Sequence, residues 1–372
     1  MSSNRSSDRI YFLDSMRAIL MMLGVILHSA QVFNPKHGWI IYSPETIPFA
    51  EVLVSTIHLF RMPAFFIVSG YFAVFTLQKY NVEKFLKVRI LRILIPLVLT
   101  ALTLNSLQTY ILVETGWMDF EFISYIQKGG WVSHLWFLIN LIIYFLVFAV
   151  GYKILKPIYK KIYLYIYRLY MYTNIYTILF VMTMMTIFLL TIVSIIAKNW
   201  QYEEIINLNS LVYYITFFAF GIFIYLNKEM QNKFIQMSPF LSIFVVSISV
   251  FLNHYFSDFE GKIYKVLYFF FGITAKYYIS SLCFYLFYKY TDKKIKIFQF
   301  LSDASYSVYL FHHVLVIGIG IVLIDLNINK YISLILLISI VAFVSMAIHY
   351  FFISRNNILS ILFNGKVNKK TV

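Results

Sequence analysis

Cysteine is nearly absent, with one residue, Cys283, in a chain of 372. An intrachain disulfide and a thiolate metal cluster are both excluded, and Cys283, inside an apolar run, reads as a packing residue. Charge is scarce too: 13% of residues are Asp, Glu, Lys or Arg, against 61% hydrophobic and a mean hydropathy of +0.77. A chain this apolar is no ordinary soluble domain and belongs to the membrane class. A Gly-rich phosphate loop, a His-Glu-x-x-His zinc helix and a Gly-x-Ser-x-Gly nucleophile elbow are also missing. Acidic residues number 16 against 31 basic ones, a net charge of +15. That excess does not imply a nucleic-acid partner, because the basic residues sit in short loops between apolar runs, as cytoplasmic retention requires.

What is present is a series of apolar runs long enough to span a bilayer. They fall roughly at 16–34, 50–77, 89–112, 132–155, 175–197, 210–227, 238–256, 263–288, 304–325 and 331–353. The reading is all-α: a polytopic membrane protein of about ten transmembrane helices, with residues 1–372 as a single integral membrane domain. Charge fixes the expected orientation. Lys79, Lys84 and Lys87, then Lys153, Lys156, Lys160, Lys161 and Arg168, then Lys289, Lys293, Lys294 and Lys296 cluster in alternate loops. The intervening loops carry isolated cations such as Lys36, Lys128, Lys198, Lys262 and Lys330. An even number of spans with both termini cytoplasmic accommodates this bias. Many of the 31 Tyr fall where helices should meet headgroups, and the Tyr- and Lys-rich stretch 159–170 should lie on the cytoplasmic interface. Arg5 and Arg9 with His28-Ser-Ala30 mimic a signal peptide, but Arg17 inside the apolar stretch argues for a retained first helix.

That first helix carries the most informative polar pattern. Arg17 and His28 are eleven residues apart. On a helix this places them about 20° from the same face and ~16 Å apart along the axis. Asp14 is spaced to pair with Arg17. A polar stripe in a bilayer helix faces protein or a cavity, and here it is expected to line a reaction path. In the second helix His58 and Arg61 share a face ahead of Pro63. Arg89 and Arg92 open the third helix, either as a phosphate clamp or as plain retention charges. His134, Trp136 and Asn140 open the fourth. Lys276 is an intramembrane cation with no evident partner, and Ser305, Tyr306, Tyr309, His312 and His313 share the ninth. His254 and Asp258 fall one residue short of the His-x4-Asp spacing of soluble glycerolipid acyltransferases.

Together these motifs resemble the acyltransferase-three family of integral membrane O-acyltransferases over nearly the full length. The matching residues are Leu13-Asp14 and Arg17 with His28 (Arg-x10-His), Phe65 to Ser69-Gly70-Tyr71, Arg89-x2-Arg92, His134-Leu-Trp136, and Ser305-Tyr306 through Tyr309 to His312-His313. The stretch Ile57-His58 to Arg61-Met-Pro63 looks particularly like the glucan-biosynthesis C branch, implicated in succinylating periplasmic glucans. The resemblance implies transfer of an acetyl or succinyl group from cytoplasmic acyl-CoA to a carbohydrate hydroxyl on the outer side. His28 would be the general base, a role that suits imidazole. Arg17 would hold the donor, Arg89 and Arg92 its phosphates, and Asp14 would orient Arg17. His58, Arg61, Asn140 and Tyr309 are candidates for stabilising the oxyanion, and Arg61 or Lys276 for pairing with a succinyl carboxylate. No tightly bound cofactor or metal is implied; the partners are the lipid bilayer, acyl-CoA and a glycan, in a bacterial inner membrane. The alternative is a transporter or flippase of an anionic or glycan-linked solute, since intramembrane cations also mark anion paths. A glycan polymerase fits less well, because it would carry a larger outer loop.

Overall fold

Asparagine marks where many of the helices begin. Asn81, Asn174, Asn207, Asn227, Asn329 and Asn356 each occupy an N-cap and accept a hydrogen bond from a first-turn backbone N–H. The computed structural model describes residues 10–155, 173–198, 200, 202–203 and 205–365. The stretch 159–170 and both chain ends, with the expectations placed on them, lie outside the described residues. The helices are α1 (Tyr11–Val32), α2 (Pro48–Lys79), α3 (Val82–Leu102), α4 (Leu104–Glu114), α5 (Phe122–Gln127), α6 (Trp136–Leu155) and α7 (Ile175–Ala197). They continue with α8 (Leu208–Leu226), α9 (Lys228–Ile235), α10 (Pro239–Ser257), α11 (Lys262–Thr291), α12 (Lys296–Asp325), α13 (Lys330–Ile348) and α14 (Asn357–Asn364). No strand occurs among the described residues, and ten helical segments are long and apolar enough to cross a bilayer.

Three helix starts differ by five residues or more from those read off hydropathy, all of them polar. α1 begins at Tyr11 rather than 16, α3 at Val82 rather than 89, and α12 at Lys296 rather than 304. In each case the extra turns have partners that hydropathy does not count. Asp14 and Arg17 pair at 3.6 Å, Asn81 caps α3, and Ser302 on α12 accepts from Arg17 at 3.3 Å. The third span is two helices, α3 and α4, meeting at Thr103. Within α3, Pro96 has no N–H to offer the carbonyl of Arg92. The end of α14 packs on that carbonyl: a Cβ on Gly365 would lie 2.6 Å from it, and Gly365 has φ +60°.

α1, α2 and α12 form the centre and are mostly buried, whereas α10 and α13 are peripheral and mostly exposed along their length. α2 meets α8 through a reciprocal pair of glycines. A Cβ on Gly70 would sit 2.0 Å from the carbonyl oxygen of Phe218, and one on Gly221 would sit 2.0 Å from that of Ile67. Small residues let helix backbones approach this closely. α1 and α12 run side by side in matched register. Arg17 meets Ser302 at one end, and His28 meets His313 at the other with ring centroids 5.0 Å apart. The interval is eleven residues on both helices, so the two are parallel, as a first and a ninth span must be.

Candidate active site

The two ends of the α1–α12 pair differ in chemistry. At the first, Arg17 lies between the carboxylate of Asp14 and the hydroxyl of Ser302, with its guanidinium 5.7 Å from the ring centroid of Phe72. Arg89 reaches the same place from α3, donating to the carbonyl of Phe72 at 2.8 Å and to the hydroxyl of Thr76. Next to Phe72, the hydroxyl of Tyr71 accepts from Lys228 at 3.1 Å. Arg92 is exposed, one turn further along α3. Arg17, Arg89 and Arg92 are near enough to interact electrostatically. This end is a cationic cluster in which Arg89 is tied to α2 while Arg92 is open to solvent or headgroups.

At the other end, four imidazoles from three segments meet. His28 comes from α1 and His312 and His313 from α12. His134 comes from a short 3₁₀ turn, Ser133–Leu135, that leads into α6. His134 stacks on His313 at 4.5 Å, and His312 lies 5.3 Å from His28 and 5.6 Å from His134. The turn that delivers His134 is held at several points. Asn105 donates to the carbonyl of Trp131 at 2.7 Å, the hydroxyl of Tyr309 donates to the carbonyl of His134 at 2.6 Å, and Ser133 takes a left-handed φ of +44°.

Hydrogen bonding assigns the protons. His28 Nδ1 faces the amide oxygen of Gln31 at 2.8 Å, His312 Nδ1 faces the carbonyl of Tyr309 at 2.7 Å, and His313 Nδ1 faces the amide oxygen of Gln108 at 2.7 Å. The backbone carbonyl of Tyr309 can only accept, so neutral His312 carries its proton on Nδ1; with the amide oxygens of Gln31 and Gln108 turned toward them, His28 and His313 do the same and present a lone pair on Nε2. Both ring nitrogens of His134, and Nε2 of His312, are buried without a partner among the described residues.

Arg61 completes the cluster. It is buried, and its Nε donates to the carbonyl of Leu20 on α1 at 3.0 Å, while its terminal nitrogens form no hydrogen bond among the described residues. Gly24 makes the approach possible: a Cβ there would lie 3.0 Å from Arg61 Nη2 and 3.2 Å from His312 Nε2. A cavity of about 1190 Å³ opens from this group, with His28, Arg61, His134, Tyr309 and His313 on its inner wall and Leu20 and Met21 at its floor. Arg17 lies one helical turn beyond that floor. The opposite wall comes from one face of α7 (Ile187, Leu190, Thr191, Ser194) and the first turns of α11.

The structure thus brings together His28, Arg61, His134, Tyr309 and His312, with His58 and Trp136 on the cavity wall. Asp14 and Arg17 join Arg89 at the other end, and Arg92 stands outside it. Asn140 is not brought in: it is buried within 3.5 Å of the Ser210 hydroxyl and does not line the cavity. Ser305 is buried against the carbonyl of Ser302, and Tyr306 lies one turn before Tyr309 with its hydroxyl unpartnered. Lys276 points its ammonium at the ring of Tyr213, 5.1 Å away, outside the main cavity. Sequence reasoning missed Gln31, Trp39, Gln108 and the part played by His313. Gln31 was visible one turn after His28, whereas Trp39 stacks on His28 from the loop after α1, ring centroids 5.5 Å apart, and Gln108 arrives from a distant segment, neither with a local signal. Among the described residues no trio of His, Cys, Asp or Glu is arranged to hold a metal ion.

Comparison with known proteins places these features. Residues 10–353 match the acyltransferase-three family, described as an acyltransferase domain. The glucans biosynthesis protein C of Escherichia coli K12, and its counterparts in strains SMS-3-5 and O1:K1, are each 35% identical to the chain over 145 residues. That match spans 37% of this chain and 37% of each relative. No solved structure gives a significant match. The chain therefore belongs to the acyltransferase-three family, its acyltransferase domain built from membrane-spanning helices.

Proposed function

We propose that this protein transfers an acyl group, acetyl or succinyl, from cytoplasmic acyl-CoA to a carbohydrate hydroxyl on the outer side of a bacterial inner membrane. One observation carries the reading. A single central helix, α1, presents Arg17 to a cationic cluster at one end and His28 to a large cavity at the other. The cation-rich loops between α2 and α3, between α8 and α10 and between α11 and α12 share the Arg17 end, which the positive-inside bias assigns to the cytoplasm. Arg17 and the exposed Arg92 hold the donor's phosphates there, while Arg89, bonded to α2, keeps α3 in place. Glucan biosynthesis, in the relatives' name, is the reason to choose a carbohydrate acceptor.

The chemistry follows from the protonation pattern. With Nδ1–H of His28 engaged by Gln31, its Nε2 takes the proton of the acceptor hydroxyl as the oxygen attacks the thioester carbonyl. The guanidinium of Arg61, with its terminal nitrogens uncommitted, stabilises the oxyanion. Collapse of the tetrahedral intermediate breaks the carbon–sulfur bond, and the imidazolium returns its proton to the departing CoA thiolate. Ester and free CoA result. Incubating membranes that hold the protein with labelled acetyl-CoA and succinyl-CoA tests the reading. One donor should be consumed well above membranes without the protein, with label appearing in a carbohydrate fraction. If neither donor is consumed and no carbohydrate is labelled, the proposal fails.

A further inference from the structure

The cavity shared by His28 and Arg61 has a strong charge bias. Its lining includes Arg61, Lys262 and Lys265 along with His28, His58, His134 and His313, and among the described residues no Asp or Glu lines it. Lys262 and Lys265 are exposed and form no ion pair or side-chain hydrogen bond among the described residues, whereas Lys36, at the same end, is paired with Glu51 at 2.8 Å. Their location opposes two ordinary preferences. They sit at the end where the loops carry few cations, and they stand at the start of α11, where the helix dipole favours anions over ammonium groups. A helix start bearing two unpaired lysines is a site suited to an incoming anion. The same lining includes the aromatic rings of Trp39, Trp136, Tyr213 and Tyr214 with the hydroxyls of Ser194 and Ser210 and the amide of Asn209. A cavity lined by flat rings together with hydroxyl and amide groups suits the faces and edges of sugar rings.

We propose that the acceptor is a carbohydrate carrying negative charge, as carboxylate or phosphate ester, held at the cavity mouth by Lys262 and Lys265 while one of its hydroxyls meets His28. The inference rests on the acyl-transfer reading for its second half alone; the anion site stands on the cavity. The test uses the purified full chain in detergent, with binding followed by calorimetric titration. The probes are hexagalacturonate against its methyl ester, and maltohexaose against maltohexaose 6-phosphate, so that carboxylate and phosphate are read separately on matched sugars. The charged member of at least one pair should bind about tenfold or more tightly than its neutral counterpart, the effect of one charge-assisted contact. That preference should weaken as salt is raised. It should vanish in the Lys262→Gln/Lys265→Gln variant and persist in Lys128→Gln, which removes a cation outside the cavity. Equal binding within both pairs, no binding of any probe, or a preference that survives the double substitution would each overturn the anion site. Charge-selective binding in a protein that consumes no acyl-CoA would retain the site and overturn the acyl-transfer reading instead.

Discussion

Replacing Gly70 with alanine, or Gly221 with alanine, is expected to abolish most of the folded protein. In each case the new Cβ would lie 2.0 Å from a backbone carbonyl oxygen, of Phe218 or Ile67 respectively. A backbone atom cannot rotate away, so α2 and α8 would have to separate by more than an ångström. Around the crossing, Ile67, Phe66 and Phe217 have no exposed surface and Phe218 is 2% exposed. Overpacking a dense core typically costs about 1–3 kcal/mol, and prising apart two central helices belongs at or beyond the top of that range. The damage reaches the site, because α2 also carries Arg61, and α8 supplies Tyr213 and Tyr214 to the cavity. Size-exclusion chromatography and thermal melting in detergent check this, with Gly151→Ala as the control, since a Cβ there meets nothing within 4 Å. If Gly70→Ala and Gly151→Ala were equally well folded, the close crossing would be refuted.

His28→Ala is expected to lower acyl transfer by about 10²–10⁴-fold, the contribution of a positioned general base, while leaving the protein folded and the donor KM little changed. The neighbouring imidazoles do not replace it. His313 is fixed by Gln108 and stacked on His134, and His312 points its Nε2 at the place where Arg61 crosses Gly24. His28 alone stands on the same helix as Arg17 with its Nε2 presented to the cavity. Initial rates on matched amounts of wild type and variant decide the matter; a variant within about threefold of wild type would remove His28 from the base role.

Much of this arrangement was legible in the sequence because bilayer helices declare themselves by length and apolarity. The α1 stripe was legible for a similar reason: helical spacing alone puts Arg17 and His28 on nearly one face. Hydropathy failed where polar groups find partners inside the protein. Asp14 falls before the apolar run, yet it lies within α1, where it pairs with Arg17. The four-imidazole cluster was only partly visible. His312 and His313 are adjacent in sequence, and both turn out buried because α12 is surrounded by other helices. Gln108 lies 205 residues from the histidine it orients, and no local pattern connects the two. Asn140 illustrates the opposite error, a polar residue near a motif that is spent on helix packing. The charge of the cavity was hidden as well, since Lys262 reads as a loop cation and Lys265 as a helix-edge one until α7, α8 and the start of α11 are seen to line one cavity with α1.

The central claim is that the donor meets Arg17 on one side of the membrane and the acyl group leaves beside His28 on the other. Sealed vesicles of defined orientation, given labelled acyl-CoA that cannot cross the bilayer, test it most directly. Inside-out vesicles should release CoA and label carbohydrate held within the lumen, and right-side-out vesicles should do neither until permeabilised. Turnover by intact right-side-out vesicles at the same rate, or label confined to the face that received the donor, would contradict transfer along α1.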